Sequence, residues 1–211
     1  ERGELINGDR TIAIWSAHWR RHGGLNPAIV VGTVMSNGGF ERYLRESSIS
    51  LERTQVGDKY VAQKMTETGA LVGGEQSGHI IFAERGPTGD GLVTMLELLR
   101  VLRREGGRVS SLCRQYENLP QVLVNVTVTA GKRWDEGETV RSAVQEGNAL
   151  LDGRGRLVVR ASGTQPMVRL MVEADTCDLR DKVADGVLSA LKSEVGGTVY
   201  SRVDLTNALG D

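Results

Sequence analysis

The stretch Ala28–Val34 (AIVVGTV) and the residues that follow it give the clearest indication of the fold class. β-Branched residues dominate this run, which predicts a short buried strand. Asn37 is a residue type that caps helices, and Phe40 and Leu44 then lie on one face of a helix that we expect to end near Ser47. A buried strand that leads into an amphipathic helix is the repeating unit of an α/β layer structure.

The same alternation of strands and helices continues on both sides of this unit. An earlier helix is predicted over Thr11–His22. Further strands are predicted at Thr54–Val56, Ala70–Val72 and His79–Ala83, with helices that begin at Asp58 and Asp90. The helix after Asp90 carries the strongest apolar stripe, formed by Leu92, Met95, Leu96, Leu99 and Leu102. The pattern predicts an α/β unit with a mixed or parallel sheet.

A second unit begins after the segment Asn118–Pro120. Strict period-two alternation of apolar residues follows, at Val122, Val124, Val126 and Val128, and predicts a strand with one buried face. Further elements are a helix over about Glu138–Leu150, strands at Leu157–Val159 and Met167–Glu173, and a last helix from near Asp178. We therefore predict two domains, an α/β domain over residues 1–118 and a smaller α+β domain with an antiparallel sheet over residues 119–211.

Composition excludes several classes of function. The formal net charge of the 211 residues is −1, so there is no basic field to attract nucleic acid or an anionic membrane surface. No apolar run approaches the length of a membrane helix. The two cysteines, Cys113 and Cys177, suit a reducing cytosol better than a disulfide scaffold, which predicts a cytoplasmic protein. The first residue is not methionine, and we expect the sequence to belong to a longer chain.

Residues 160–166 (RASGTQP) form the first candidate binding loop, between two predicted strands. Its donors and turn-forming residues are Arg160, Ser162, Gly163, Thr164 and Pro166, with Arg169 on the next strand. A guanidinium, two hydroxyls and backbone N–H groups beside a glycine can form a cradle for a phosphate. A solvated hairpin turn, whose hydroxyls satisfy their own backbone, explains the same residues.

Residues 74–79 (GEQSGH) form the second candidate loop. Glu75 and Ser77 can present a carboxylate and a hydroxyl to a ligand with several hydroxyl groups, and His79 can transfer a proton. The alternatives are a tight turn with a solvated Glu75 and a histidine that serves packing.

The sequence contains little evidence for a metal-binding or nucleotide-binding site. The sequence contains neither the dinucleotide-binding nor the P-loop glycine motif. His18 and His22 are four residues apart on a predicted helix, but because we see no third ligand we interpret them as surface residues. Trp15 and Trp19 are interpreted as packing residues. Asp9 is one carboxylate where a divalent cation needs several, and we therefore predict no metal site.

The two loops resemble motifs of the α-D-phosphohexomutases. Residues 74–79 are similar to the sugar-recognition loop of that family, and residues 160–166 are similar to its phosphate-binding loop, in the family's order. Residues 33–37, 56–61, 89–92 and 120–126 resemble the phosphoglucosamine mutase branch. So does Gln76, where phosphomannomutase-type members often have methionine. The resemblance covers essentially the whole chain and corresponds to the C-terminal half of the family's four-domain architecture.

This resemblance implies a fold and an activity. The chain would contain the family's third domain, which is a three-layer α/β domain, and its fourth, a TATA-binding-protein-like α+β domain. The complete enzyme would interconvert glucosamine 6-phosphate and glucosamine 1-phosphate through a phosphoserine and a sugar bisphosphate, with Mg²⁺ as cofactor. The family's phosphoserine and Mg²⁺-binding motifs belong to its first two domains and do not occur here. The chain alone is therefore expected to bind a hexosamine phosphate, and neither nucleic acid nor membrane, without turning it over, and its partner would be the N-terminal half of the same protein.

The resemblance also implies roles for individual residues. Arg160, Ser162, Gly163 and Thr164 would hold the phosphate that is not reacting, and Arg169 would brace their loop. Glu75 and Ser77 would bind sugar hydroxyls, with His79, Asp58 and Lys59 near the reacting end. Gln165 departs from the glutamate common in this branch, which leaves the role of that side chain open. The alternatives are a phosphomannomutase or phosphoglucomutase specificity, and a non-catalytic sugar-phosphate-binding module.

Overall fold

The computed structural model describes residues 3–128, 134–135, 137–162 and 165–207. The chain forms two compact units, the first containing the residues up to Asn118 and the second comprising Leu119–Thr206. None of the helices in the described ranges combines the length and the apolar character that a membrane crossing requires.

The first unit is an α/β structure around a four-stranded sheet. Its helices are α1 (Gly8–Arg21), α2 (Gly38–Glu46), α3 (Asp58–Thr68), α4 (Gly91–Glu105) and α5 (Val109–Leu112). Its strands are β1 (Ile29–Thr33), β2 (Ser50–Thr54), β3 (Val72–Gly74) and β4 (Ile80–Phe82), in the order β2-β1-β3-β4. Strand β1 is parallel to β2 and β3, whereas β4 is antiparallel to β3. The sheet is therefore mixed, as predicted.

Helices cover both faces of this sheet. Val30 of β1 belongs to a core shared with α1, α2 and α4, whereas Val31 belongs to a second core that contains residues of α3. Successive residues of a strand point to opposite faces, so the two valines face the two helical layers. This arrangement confirms the three-layer α/β architecture.

The predicted helix caps at Asn37 and Asp90 are confirmed, whereas the cap predicted at Asp58 is shifted by one residue. Asn37 caps α2 by accepting a hydrogen bond from the N–H of Gly39, and Asp90 caps α4 by accepting from Leu92 and Val93. Helix α3 begins differently, because Gly57 is its N-cap and Asp58 is its first helical residue. The preceding strand also ends at Thr54, earlier than predicted, since the half-exposed edge strand β2 carries little apolar signal.

The apolar stripe of α4 does not line the core. Leu92, Met95, Leu96 and Leu99 are 70%, 49%, 61% and 50% exposed. The opposite side of the helix, which carries Val101 and Glu97, is buried instead. Apolar residues occupy both sides of α4, so periodicity alone selects the wrong face. The buried Glu97 carboxylate is satisfied there by the Nε1–H of Trp15, at 3.1 Å, and by Arg85.

The second unit is an α+β structure with an antiparallel sheet. It contains the strands β5 (Gln121–Thr127), β6 (Gly155–Ala161), β7 (Met167–Ala174) and β8 (Thr198–Asp204), and the helices α6 (Glu138–Leu151) and α7 (Cys177–Val195). The strand order is β6-β7-β5-β8, and every neighbouring pair is antiparallel. Val122, Val124 and Val126 lie in the core with both helices, as the alternation predicts. Strand β8 was not predicted, because this largely exposed edge strand lacks a strong apolar pattern.

Candidate functional site

The loop between β3 and β4 is a tight, hydrogen-bonded turn. The N–H of Glu75 donates to the carbonyl of His79 at 3.0 Å, and the N–H of Gly78 donates to the carbonyl of Glu75 at 2.9 Å. Gly78 has a φ of 104°, a conformation that favours glycine. Gln76 is buried, whereas Ser77 is half-buried and His79 is exposed.

The start of α1 fixes this turn from one side. The N–H of Gly8 donates to the carbonyl of Gln76 at 2.9 Å. A Cβ atom at Gly8 would lie 1.9 Å from the carbonyl oxygen of Glu75, so only glycine permits this approach without a backbone shift. The sequence around Gly8 carries no local signal of this contact, since the contact joins segments far apart in the chain.

Glu75 is also held by the start of α3. Its Oε1 accepts a 2.9 Å hydrogen bond from the N–H of Gly57, the helix N-cap, which has no side chain to cap the helix itself. A carboxylate is favoured beside a helix N-terminus by the partial positive charge there. The contact places Glu75 next to Asp58 and Lys59, whose side chains are exposed.

Two further polar groups of the turn lie side by side. The Oγ of Ser77 and the Nδ1 of His79 are 3.3 Å apart. A hydroxyl and an imidazole at hydrogen-bond distance can each donate to or accept from a ligand, and can exchange roles with the tautomer of the ring. The structure therefore gathers the five predicted sugar-binding residues at one edge of the first sheet, near the carboxyl ends of β2 and β3.

The second predicted loop connects β6 to β7 in the other unit. Arg160 and Arg169 are direct partners in the antiparallel pairing of these strands, and both are half-buried. Arg169 is in turn paired with Asn125 of β5. Side chains of directly paired residues lie on the same face, so those of Arg160 and Arg169 leave the sheet on one face at the base of the loop.

The loop itself is only partly described. Gly163 and Thr164 lie outside the described residues. The N–H of Ser162 donates to the carbonyl of Met167 at 2.8 Å, so this amide closes the strand pair and is not available to an anion. Ser162 as a residue is half-buried, and it directly follows Ala161, the last residue of β6.

The interpretation of His22 as a surface residue agrees with its 57% exposure, whereas that of His18 is wrong, and a third candidate ligand is present. His18 is 1% exposed, and its Nδ1 lies 2.5 Å from the Oε1 of Glu105 at the end of α4. The Nε2 of His22 lies 3.9 Å from the same oxygen. Glu105 is distant in sequence, so its role as a third ligand candidate follows only from the packing of α4 on α1.

The other residues considered early in the chain have structural roles. Asp9 is buried within α1, and its Oδ2 accepts a 2.8 Å hydrogen bond from the N–H of Asn37. Trp15 packs against Trp19 and Phe82, with ring centroids 5.7 and 5.2 Å apart, which confirms the packing interpretation.

A cavity of about 740 Å³ in the described part of the first unit is lined by residues outside the turn at 74–79. Its lining includes Leu5, Arg10, Cys113 and Tyr116. The guanidinium of Arg10 stacks on the ring of Tyr116 and donates to its carbonyl and to that of Cys113. Arg10 is thus engaged by the protein itself, and we assign no substrate to this cavity.

Comparison with known proteins extends over nearly the whole chain. Residues 7–119 match the family described as phosphoglucomutase/phosphomannomutase, alpha/beta/alpha domain III, and residues 123–190 match the C-terminal domain of the same family. The phosphoglucosamine mutase of Nitrobacter winogradskyi is 45% identical over 191 residues, which are 90% of this chain and 42% of the relative. The phosphoglucosamine mutase of Maricaulis maris is 45% identical over 197 residues, which are 93% of this chain and 44% of the relative. The chain thus spans less than half the length of these relatives.

Solved structures share the fold. An N-acetylphosphoglucosamine mutase of Aspergillus fumigatus superposes with a TM-score of 0.75 at 22% identity, over 91% of this chain and 44% of the other. A phosphoglucomutase/phosphomannomutase family protein of Burkholderia thailandensis gives a TM-score of 0.68 at 24% identity, over 93% of this chain and 44% of the other. Both matches again lie within less than half of the longer chain.

Proposed function

This chain belongs to the phosphoglucomutase/phosphomannomutase family, and we propose that it is the substrate-binding C-terminal half of a phosphoglucosamine mutase. The observation that carries the proposal is the 45% identity to phosphoglucosamine mutases over 90% of the chain. The complete enzyme would interconvert glucosamine 6-phosphate and glucosamine 1-phosphate. Phosphoryl transfer depends mainly on positioning and on stabilisation of charge, and this chain would supply the positioning.

The first unit would bind the sugar through the turn at 74–79. One carboxylate oxygen of Glu75 is held by Gly57, while Oε2 has no hydrogen bond to the described part of the chain and can accept from a sugar hydroxyl. Ser77 and His79 add a hydroxyl and an imidazole beside it. A carboxylate whose orientation is already set loses less entropy when it binds a ligand. Asp58 and Lys59 would approach the reacting end of the sugar.

The second unit would bind the phosphate that is not reacting. Arg160 and Arg169 are direct partners on paired strands, so a dianion on that face of the sheet would lie near two positively charged side chains. Arg160 would contact the phosphate and Arg169 would brace the loop, with the hydroxyls of Ser162 and Thr164 and the backbone of Gly163 completing the cradle.

The nucleophile and the Mg²⁺ of the reaction would come from the rest of the enzyme. Mg²⁺ requires oxygen ligands in octahedral geometry. Within the described ranges, the group of three candidate ligands is His18, His22 and Glu105, and its two imidazoles do not suit this ion. No step of the reaction is therefore assigned to a metal on this chain, and a sugar bisphosphate would be the intermediate of the complete enzyme.

Calorimetric titration of this chain with glucosamine 6-phosphate tests the proposal. We expect saturable binding that Glu75→Ala and Arg160→Ala each weaken at least about tenfold, the loss expected when a charge-assisted hydrogen bond is removed. Glu84→Ala removes an exposed carboxylate outside both loops and should change the affinity less than twofold.

The comparison ligands separate the alternatives. Equal or tighter binding of mannose 6-phosphate would favour a phosphomannomutase specificity over the proposed one. Binding of inorganic phosphate as tight as that of the sugar phosphate would favour a simple anion-binding module. If no sugar phosphate binds to the folded chain, or if the control loses as much affinity as the two loop variants, the proposal is wrong.

A further inference from the structure

Two helix ends of the first unit bring together three side chains that the proposed mutase function does not use. His18 and His22 lie one turn apart at the end of α1, where His22 is the C-cap residue, and Glu105 is the last residue of α4. One ligand atom from each residue lies within 4.8 Å of the other two. We infer that this cluster is a Zn²⁺ site that links the ends of α1 and α4.

The distances suit a tetrahedral ion with small side-chain movements. Zn–N and Zn–O bonds of about 2.0–2.2 Å place neighbouring tetrahedral ligands about 3.3 Å apart. The Oε1 of Glu105 lies 2.5 Å from the Nδ1 of His18 and 3.9 Å from the Nε2 of His22. The two observed separations bracket the required value, and the two imidazole ring centroids are 4.5 Å apart. For an ion to bind between the three side chains, the distance from Glu105 to His18 must lengthen and the distance from Glu105 to His22 must shorten.

The donor types select the metal. Two imidazoles and one carboxylate are a ligand set that binds Zn²⁺ with a fourth position open to water, whereas Mg²⁺ and Ca²⁺ take oxygen ligands. Imidazole also suits Cu²⁺ and Ni²⁺, so the site discriminates against hard cations more strongly than among these ions. We commit to Zn²⁺ because its tetrahedral preference fits three protein ligands and a water molecule.

The surrounding structure positions one ligand before any ion arrives. His18 is 1% exposed, and the ring is held against α4 by its contact with Glu105. Its Nε2 is buried and has no hydrogen-bond partner among the residues that the structure describes, so the nitrogen that faces Glu105 is the one that interacts. His22 and Glu105 are 57% and 24% exposed and can adjust from the solvent side.

Some of the charges around the cluster favour the binding of a cation and others oppose it. The site lies at the C-terminal ends of two helices, where the partial negative charge of the last carbonyls favours a cation. Arg21 competes with the metal, since its Nη2 lies 2.7 Å from the Oε1 of Glu105. Arg21 is 52% exposed and can turn to the solvent or to the other carboxylate oxygen when the ion binds.

Titration of the untagged chain with Zn²⁺ near neutral pH, followed by calorimetry, tests this site. We expect one ion per chain, bound in the low micromolar range or tighter. His22→Ala and Glu105→Gln should each weaken binding at least about tenfold, since each removes one of three protein ligands. Arg21→Gln removes the competing cation and should bind Zn²⁺ at least as tightly as the original chain.

Two controls separate this cluster from other zinc ligands. His79→Ala removes the third histidine of the chain, outside the cluster, and should leave the affinity within twofold. X-ray absorption of the bound zinc should show nitrogen and oxygen at about 2.0–2.2 Å without the sulfur distance of about 2.3 Å. The proposed site would be overturned if zinc did not bind 1:1 or if the bound zinc had a sulfur ligand. It would also be overturned if His22→Ala and Glu105→Gln kept the original affinity, or if Arg21→Gln bound zinc more weakly.

Discussion

The backbone N–H of Gly57 donates a 2.9 Å hydrogen bond to the Oε1 of Glu75. This contact joins the loop after β2 to the loop after β3. Because β2 and β3 are both parallel to β1, their carboxyl ends meet at one edge of the sheet. Open α/β sheets bind ligands outside the carboxyl ends of their strands. The contact therefore sets the orientation of a carboxylate at the edge where a ligand is expected.

Substitution of Glu75 should separate its structural role from its proposed binding role. Glu75→Gln keeps an oxygen that accepts from Gly57, so we expect a change of less than about 0.5 kcal/mol in the free energy of unfolding. Glu75→Ala removes the acceptor and should cost about 1 kcal/mol. Both variants should lose affinity for glucosamine 6-phosphate. Urea unfolding and calorimetry check this, and full affinity in Glu75→Gln would show that the charge is not used.

A methyl group at position 8 should displace the turn at 74–79. In Gly8→Ala the new Cβ would meet the backbone of Glu75 at 1.9 Å, so backbone must shift, at a cost of about 1–3 kcal/mol or more. Gly91→Ala is the matched control, because that glycine also lies at a helix start but has no atom within 4 Å of the added Cβ. Thermal unfolding should show a lower midpoint for Gly8→Ala alone. Equal midpoints for both variants would contradict the close approach.

The two sides of α4 should respond oppositely to truncation. Val101→Ala removes two buried carbons and should cost about 2 kcal/mol, since Val101 is 1% exposed. Leu96→Ala removes more atoms from a side chain that is 61% exposed, and should change the free energy of unfolding by less than about 0.5 kcal/mol. Denaturant unfolding of the chain measures both. A larger loss for Leu96→Ala would place the apolar stripe in the core.

Asp181 should make the stability of the second unit depend on pH. Hydrogen bonds from Arg180 lower the pKa of the Asp181 carboxyl, burial opposes this effect, and Arg202 adds to it. A group whose pKa is lowered by folding stabilises the protein above its unfolded pKa, near 3.8, and this contribution is lost as the pH falls through the folded value.

Asp181→Asn should therefore destabilise the chain at pH 7, by less than about 1 kcal/mol because the carboxylate is 40% exposed. The difference between the two chains should shrink as the pH falls below the unfolded pKa, and it should also shrink in high salt. Urea unfolding across this range measures it. If the loss of unfolding free energy in Asp181→Asn grew toward acidic pH, the prediction that folding lowers the pKa of Asp181 would be wrong.

Local sequence signals predicted most of the helices and strands, and they failed where burial is decided by a neighbour. Asn37 and Asp90 cap their helices as predicted, because a cap depends on residues two or three positions away. The pattern did not reveal that the apolar stripe of α4 is exposed, and the interpretation of His18 as a surface residue was wrong, because the packing of α1 against α4 selects which face of each helix is covered. Strand β8 was missed for a related reason, since an exposed edge strand needs few apolar residues.

Local patterns along the chain were enough to predict the alternation of elements, the change of pattern near Asn118 and the two polar loops at 74–79 and 160–166. The residues that those loops contact became known only from the packing of the folded chain. The hydrogen bond from Gly57 to Glu75, the pairing of Arg160 with Arg169 and the approach of Glu105 to His18 all join segments that are separated along the chain. Such contacts depend on strand order and register, and a slip of one residue turns every side chain of a strand to the other face. Local periodicity indicates which face of a strand is buried, but it does not indicate which distant strand or loop that face meets.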